Sequence, residues 1–177
     1  GLVLPSFWLA IVLVFVFSVD LHVLPAIGYT SFLVSPFGWA RTLILPVAAL
    51  AIGQMTLIAK QTRDQMIEVL NSKFILSLRA NGVSERSIVF RHALRNAAIP
   101  VVTVIGATAI GALGAVIFVE TIFAQPGLGA ELVTAANTFD VPTILGLAVY
   151  FTLIVICINL LVDISYAALN PRARSTR

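Results

Sequence analysis

The apolar residues of this chain gather into four stretches, residues 2–19, 43–59, 99–119 and 142–164, separated by polar or turn-rich connections. A helix needs roughly 20 apolar residues, and at least about 17, to cross a bilayer core, so each stretch reads as a transmembrane helix. The second stretch is short and is expected to continue as a helix through the more polar residues 60–70, beyond the membrane. Pro5, Pro46, Pro100 and Pro142 each lie near the beginning of a stretch. A proline costs little there, because first-turn N–H groups have no intrahelical acceptor, and their placement predicts helix starts.

The connections differ in character. Residues 20–42 carry His22, Pro25, Gly28, Tyr29, Pro36, Gly38 and Trp39, the composition of an irregular interfacial loop with aromatic anchors. Residues 120–141 hold the turn-like Gln125-Pro126-Gly127-Leu128-Gly129 and the acids Glu120, Glu131 and Asp140. Residues 60–98 are polar and basic, yet periodic. Met66, Val69, Leu70, Phe74 and Leu78 are spaced for one apolar helix face, Gly82 interrupts, and Val83, Ile88, Val89, Ala93 and Leu94 resume the pattern. Ser84 followed by Glu85 suits a new helix start. The expected unit is a pair of short amphipathic helices broken at a glycine, too short to be stable alone and in need of a partner surface.

Composition narrows the class. Of 177 residues 59% are apolar and 11% charged, whereas a soluble domain carries roughly 45–50% and about 25%. A charged surface adequate for a cytosolic globule is missing, so the fold class is all-α, a polytopic membrane helix bundle with lipid as a partner. The net charge of +3 would suggest nucleic acid in a soluble protein, but here the placement of the charges matters more, and no nucleic-acid partner is expected. Cys157, the single cysteine, excludes a disulfide framework. The first stretch lacks a basic leader and a small-residue cleavage site and reads as a permanent helix; starting at Gly1 without flanking charge, it suggests that upstream segments are missing.

Lys and Arg set the orientation. With four helices, residues 60–98 and the C-terminal tail share a side, which holds Lys60, Arg63, Lys73, Arg79, Arg86, Arg91, Arg95, Arg172, Arg174 and Arg177 and leaves only Arg41 opposite. That side is expected to be cytoplasmic, and the connections around Pro25 and Gly127 to face outward.

Individual side chains suggest binding and packing rather than catalysis. Arg79, Glu85, Arg86 and Arg91 are candidates for charge pairing with a partner, and Gly82 for the bend between the two helices. His92 has no carboxylate or second His at ligand spacing, so it reads as a packing or hydrogen-bonding residue, and no metal, catalytic or cofactor-binding residue is assigned. Ala107, Gly111 and Ala115 recur at four-residue spacing with Gly106, Ala112 and Gly114 nearby, a face on which helices approach closely. Asn159, Tyr150 and Thr152 share the last helix and are candidates for lining a path. Asp163 is expected to pair with Arg172 or Arg174. There is no phosphate-binding glycine loop ending in Lys-Ser/Thr, so ATP hydrolysis is not expected of this chain.

Several ordered motifs then carry a resemblance. Met66-Ile67-Glu68-Val69-Leu70, Arg79-Ala80-Asn81-Gly82-Val83-Ser84-Glu85-Arg86 and Phe90-Arg91-His92-Ala93-Leu94-Arg95-Asn96-Ala97-Ala98-Ile99-Pro100 resemble the cytoplasmic coupling loop of bacterial dipeptide/oligopeptide ABC-importer permeases. Pro5-Ser6-Phe7-Trp8-Leu9-Ala10, Leu24-Pro25-Ala26-Ile27-Gly28-Tyr29, Val119-Glu120-Thr121-Ile122-Phe123 with Pro126-Gly127-Leu128-Gly129, and Asn159-Leu160-Leu161-Val162-Asp163 through Asn170-Pro171-Arg172 extend the likeness over nearly the whole chain. Leu76-Ser77-Leu78 departs from the Glu-Ala-Ala triplet that the family at large carries before its loop glycine, and the resemblance leads one to expect about two further helices and an outer domain upstream of this sequence.

The resemblance implies that residues 1–177 form a single type I ABC-importer transmembrane domain in a bacterial plasma membrane. Its coupling loop, residues 60–98, would use Leu78, Arg79, Ala80, Gly82, Val83, Ser84, Glu85, Arg86, Phe90 and Arg91, with Leu78, Val83 and Phe90 as the apolar contacts. Gly106, Gly111, Gly114, Ala115 and Asn159 would serve helix packing or the pathway. The implied partners are a second homologous permease, two ATP-binding subunits that carry ATP and Mg, and an extracytoplasmic substrate-binding protein. Nickel and glutathione permeases share these motifs. A stand-alone secondary transporter or channel would instead show ionisable residues near mid-membrane or a symmetric repeat, and the four stretches show neither.

Overall fold

A computed structural model describes residues 5–169, among which every regular element is a helix. In chain order these are α1 (Ser6–Asp20), α2 (Pro36–Leu70), α3 (Lys73–Ala80), α4 (Glu85–Phe123), α5 (Leu128–Asn137) and α6 (Val141–Leu169). Three helices, α2, α4 and α6, are long and apolar enough to cross a membrane. The first predicted span is represented by α1, nine α-helical residues followed by a six-residue π-helical turn, Phe15–Asp20. By length it falls short of the roughly 20 residues a crossing requires; residues 2–4 of that predicted span lie outside the described residues.

The prolines correct one expectation. Pro5 precedes α1 and Pro142 is the second residue of α6, as helix starts require, but Pro46 and Pro100 lie inside α2 and α4. Both helices begin well before their apolar stretch, so that Pro46 is the eleventh residue of α2 and Pro100 the sixteenth of α4. Each interior proline removes one rung of the i to i−4 ladder.

The chain divides into two units. The first comprises residues 1–56 and 110–155. Its core is small: Ala10 of α1, Leu45 and Ala49 of α2, and Val119 and Phe123 of α4, with Leu13, Val14, Leu24, Leu50 and Ile122 packed around them. The second unit comprises residues 57–109 and 156–177. Within it α4 and α6 run antiparallel along a seam: Arg95 Nε donates to the Leu169 carbonyl, the Thr103 and Tyr166 hydroxyls are 2.5 Å apart, and Gly106 faces Val162. A Cβ on Gly106 would meet Val162 Cγ2 at 2.5 Å, whereas Gly111 and Gly114 have nothing within 4 Å. The small-residue face therefore splits into one residue already packed and two left open.

Three helices end on the same device. After α3, Gly82 N–H donates to Arg79 O and Val83 N–H to Leu78 O; after α4, Ala124 N–H to Thr121 O and Gln125 N–H to Glu120 O; after α5, Phe139 N–H to Ala136 O and Asp140 N–H to Ala135 O. This is the Schellman arrangement, in which a left-handed residue turns the chain so that two orphan carbonyls are satisfied. Only the first uses glycine, with φ of 76°; Ala124 and Phe139 adopt φ of 49° and 56°. A glycine search for helix ends therefore finds one of the three.

The start of α5 is held from α4. The Glu120 carboxylate accepts hydrogen bonds from the Gly129 and Ala130 N–H groups at 2.8 and 2.9 Å, capping α5 from outside its own sequence. A Cβ on Gly127 would collide with that carboxylate, and one on Gly129 would lie 2.8 Å from Ile117 Cα. The Pro126-Gly127-Leu128-Gly129 turn is thus shaped by the need to bring backbone N–H groups onto one oxygen. At α6, Asp140 accepts from the Thr143 hydroxyl at 2.6 Å and the Thr143 N–H at 3.3 Å, and these bonds hold its carboxyl below the ordinary aspartate range.

Two outcomes follow for thermal unfolding of the detergent-solubilised chain. Ala124→Gly, at an exposed position, relieves left-handed strain and raises stability by up to about 1 kcal/mol; a lower Tm would contradict that. Gly106→Ala overpacks the α4–α6 seam and costs about 1–3 kcal/mol, while Gly111→Ala is neutral or slightly stabilising; equal losses in both would mean that the seam is misplaced.

Candidate functional site

Residues 60–98 form the broken amphipathic unit that the hydrophobic spacing predicts, with a corrected phase. Ile75, Ile88 and Ala93 are fully buried, and Met66, Val69, Leu70, Leu78 and Val83 pack against them. Phe74 and Leu94, assigned to the apolar face by spacing, are exposed, and Ile75 takes the centre. The spacing treated Met66 to Leu78 as one continuous helix. In the structure α2 ends at Leu70 and α3 starts at Lys73 after Ser72, which resets the phase.

A second reset lies in α4, whose residues Ile88–Ala93 form a π-helical turn. In a regular α-helix residues five apart point about 140° away from each other. The i to i+5 closure of a π turn brings Ile88 and Ala93 onto one face, so both reach the same cluster.

Gly82 is where α3 turns into α4. A Cβ there would find open space, so its φ of 76°, and not crowding, is what calls for glycine. The Leu78–Val83 contact that accompanies a Schellman end is present in the cluster. Leu78 and Val83, expected as contacts for a partner, are half-buried and pack against the internal core.

The charges also sort. Arg79 Nε lies 2.6 Å from Glu85 Oε1 and Arg79 Nη2 lies 3.2 Å from Glu85 Oε2, a bidentate pair across the bend. Arg79 is raised further above its ordinary value by that carboxylate. Both partners are solvent-exposed and the pair is screened, so it sets geometry more than stability. Arg86 and Arg91 have no ion-pair partner among the described residues. With Ser84, Ser87 and Phe90 they line an open hollow of about 550 Å³, and Phe90 is 67% exposed. Ala80 is exposed beside the bend. His92 packs edge-on against Phe74, with ring centroids 6.2 Å apart, which is the packing role expected of it.

Of the residues assigned to packing or pathway, Gly106 is buried against Val162, Gly111 and Gly114 are open, and Ala115 is half-buried. Asn159 and Asp163 are exposed on α6. The arginines expected to pair with Asp163, Arg172 and Arg174, lie outside the described residues. Sequence reasoning gave no role to Ile75 or Tyr166 and read Gln125 only as part of a turn. The first was hidden by the phase error, and the other two act through contacts distant in sequence.

Comparison with known proteins agrees with this architecture. Residues 1–175 match the family model described as the binding-protein-dependent transport system inner membrane component. The chain is 44% identical over 174 residues, 98% of its length, to a Brucella abortus (strain 2308) protein named for a peptide transport system permease. It is 40% identical over 174 residues to the dipeptide transport system permease protein of Bacillus subtilis (strain 168). It spans about half the length of these relatives, 55% and 54%. A bundle with three membrane-capable helices and a match over nearly every residue lead to one conclusion: this multi-pass membrane chain belongs to the binding-protein-dependent transport system inner membrane component family.

Proposed function

We propose that this chain is part of a permease subunit that forms half of a membrane pathway for dipeptides or oligopeptides, and that residues 60–98 couple the pathway to ATP-hydrolysing subunits in the cytoplasm. The observation that carries the reading is the bent unit at Gly82: a rigid internal core on one side, and on the other an exposed hollow with Phe90 between Arg86 and Arg91. An apolar anchor flanked by two cations is a surface for an acid-rimmed apolar cleft. The relatives named for peptide and dipeptide transport supply the substrate class.

The mechanism follows from what the chain lacks and holds. It has no nucleotide-binding loop, so it transmits a conformational difference generated elsewhere. ATP and Mg are bound by two partner ATPases, whose closure moves the bent unit as one body. That body is stiff because the Schellman turn, the Arg79–Glu85 pair and the Ile75–Ile88–Ala93 cluster fix its angle. Movement then passes along α4, which is continuous from the bend to Phe123. A second homologous permease completes the pathway, and an external binding protein delivers the peptide.

The direct test is charge reversal of the hollow. R86E/R91E, in the complete complex, is expected to lower peptide uptake about tenfold or more and to reduce recovery of the ATPase with the permease, since like charges facing each other cost several kcal/mol. The span-forming helices should insert as before. Parental uptake and parental ATPase recovery in the double variant would contradict the proposed docking surface.

A further inference from the structure

Gln125 is the one buried polar side chain among the described residues, 8% exposed in the first unit. Its Nε2 donates to the Gly28 carbonyl at 2.9 Å and to the Thr42 carbonyl at 3.5 Å. The second acceptor is informative. Thr42 stands four residues before Pro46, which has no N–H to return to it, so the Gln125 amide occupies the place of the missing rung in α2. Pro46 is itself buried beside Leu45 and Ala49 in the core of that unit. Gly28 is bound on its other side as well, its N–H donating to Phe123 O at 3.2 Å.

One carboxamide thus ties together the 20–35 connection, the proline break of α2 and the turn that ends α4. Both acceptors are carbonyl oxygens, so the site requires a side chain with two N–H donors. Glutamine supplies them; a carboxylate of the same shape would aim lone pairs at lone pairs.

We propose that Gln125 is a positioning residue for transport, a latch that keeps α2 closed across Pro46 at the outer end of the pathway. Residues 36–45 and the 20–35 connection move together when it lets go. The proposal rests on the permease reading for what the latch serves, since the outer end is the mouth through which substrate enters. It does not rest on that reading for the latch itself, which is a property of the first unit.

The test uses the complete complex with Cys157 replaced by Ser and a reporter cysteine, A49C, on the core face of α2 just beyond Pro46, where the parental side chain is fully buried. Labelling by a membrane-impermeant maleimide reads opening. Gln125→Glu and Gln125→Met are both expected to raise the labelling rate about tenfold, since each loses the two donated bonds. P46A returns an N–H to Thr42 O and makes one of those bonds redundant, so P46A/Q125M should label more slowly than Q125M alone. Where the Glu variant fails to assemble, the Met variant, which introduces no buried charge, decides. A Met variant that assembles and labels at the parental rate overturns the latch, as does a P46A background that leaves the Q125M rate unchanged. A parental complex whose ATP hydrolysis does not respond to peptide contradicts the permease reading and leaves the labelling comparison standing.

Discussion

The constraint on which this structure depends is that a backbone N–H or C=O not paired within its own helix needs a partner from elsewhere in the chain or from water, and where water is excluded an unpaired one costs several kcal/mol. Helix interiors meet it automatically; helix ends and prolines do not. The chain places its most specific polar contacts at those points. Glu120 serves the N–H groups that open α5, Asp140 serves the start of α6, Gln125 serves the carbonyl that Pro46 leaves unpaired, and three left-handed turns close α3, α4 and α5. These residues fix where the long helices stop and how the connections fold back, and they do so in a chain with only small apolar cores.

How small those cores are bears on function. In the most apolar windows of α2, α4 and α6 only 17%, 6% and 6% of residues are buried within the chain. Lipid tails are as apolar as leucine and supply no hydrophobic force for helices to associate, so contact depends on close backbone approach. Gly106 already makes such an approach, to Val162, while Gly111 and Gly114 face open space. A surface of that kind suits helices contributed by other segments or subunits, in keeping with a chain that spans about half the length of its relatives. The bent unit of residues 60–98 is built the other way, with its own packed core, and can therefore move as a body.

The helical class and the three long spans were legible because twenty or so apolar residues have few alternatives, and the Gly82 break was legible because glycine marks a left-handed turn. Periodicity erred where the helix was not regular. The break at Asn71-Ser72 shifted Phe74 out of the core and Ile75 into it; Ile88 and Ala93 do share the apolar face that the spacing gave them, but through a π turn that a regular helix lacks. Composition could not show that Arg79 and Glu85 would pair with each other, because six residues of sequence separation become neighbours only once the turn forms. Nor could it reveal Gln125, whose two acceptors lie 97 and 83 residues away.

We propose above all that the chain transmits energy from ATP to a peptide pathway. The measurement that tests it most directly is ATP hydrolysis by the complete complex in proteoliposomes, with its binding protein, as dipeptides and oligopeptides are added. Hydrolysis stimulated by peptide and matched by accumulation of that peptide in the compartment holding ATP is the predicted result. Peptide accumulation that proceeds without ATP, or hydrolysis indifferent to every peptide while the complex is intact, would contradict it.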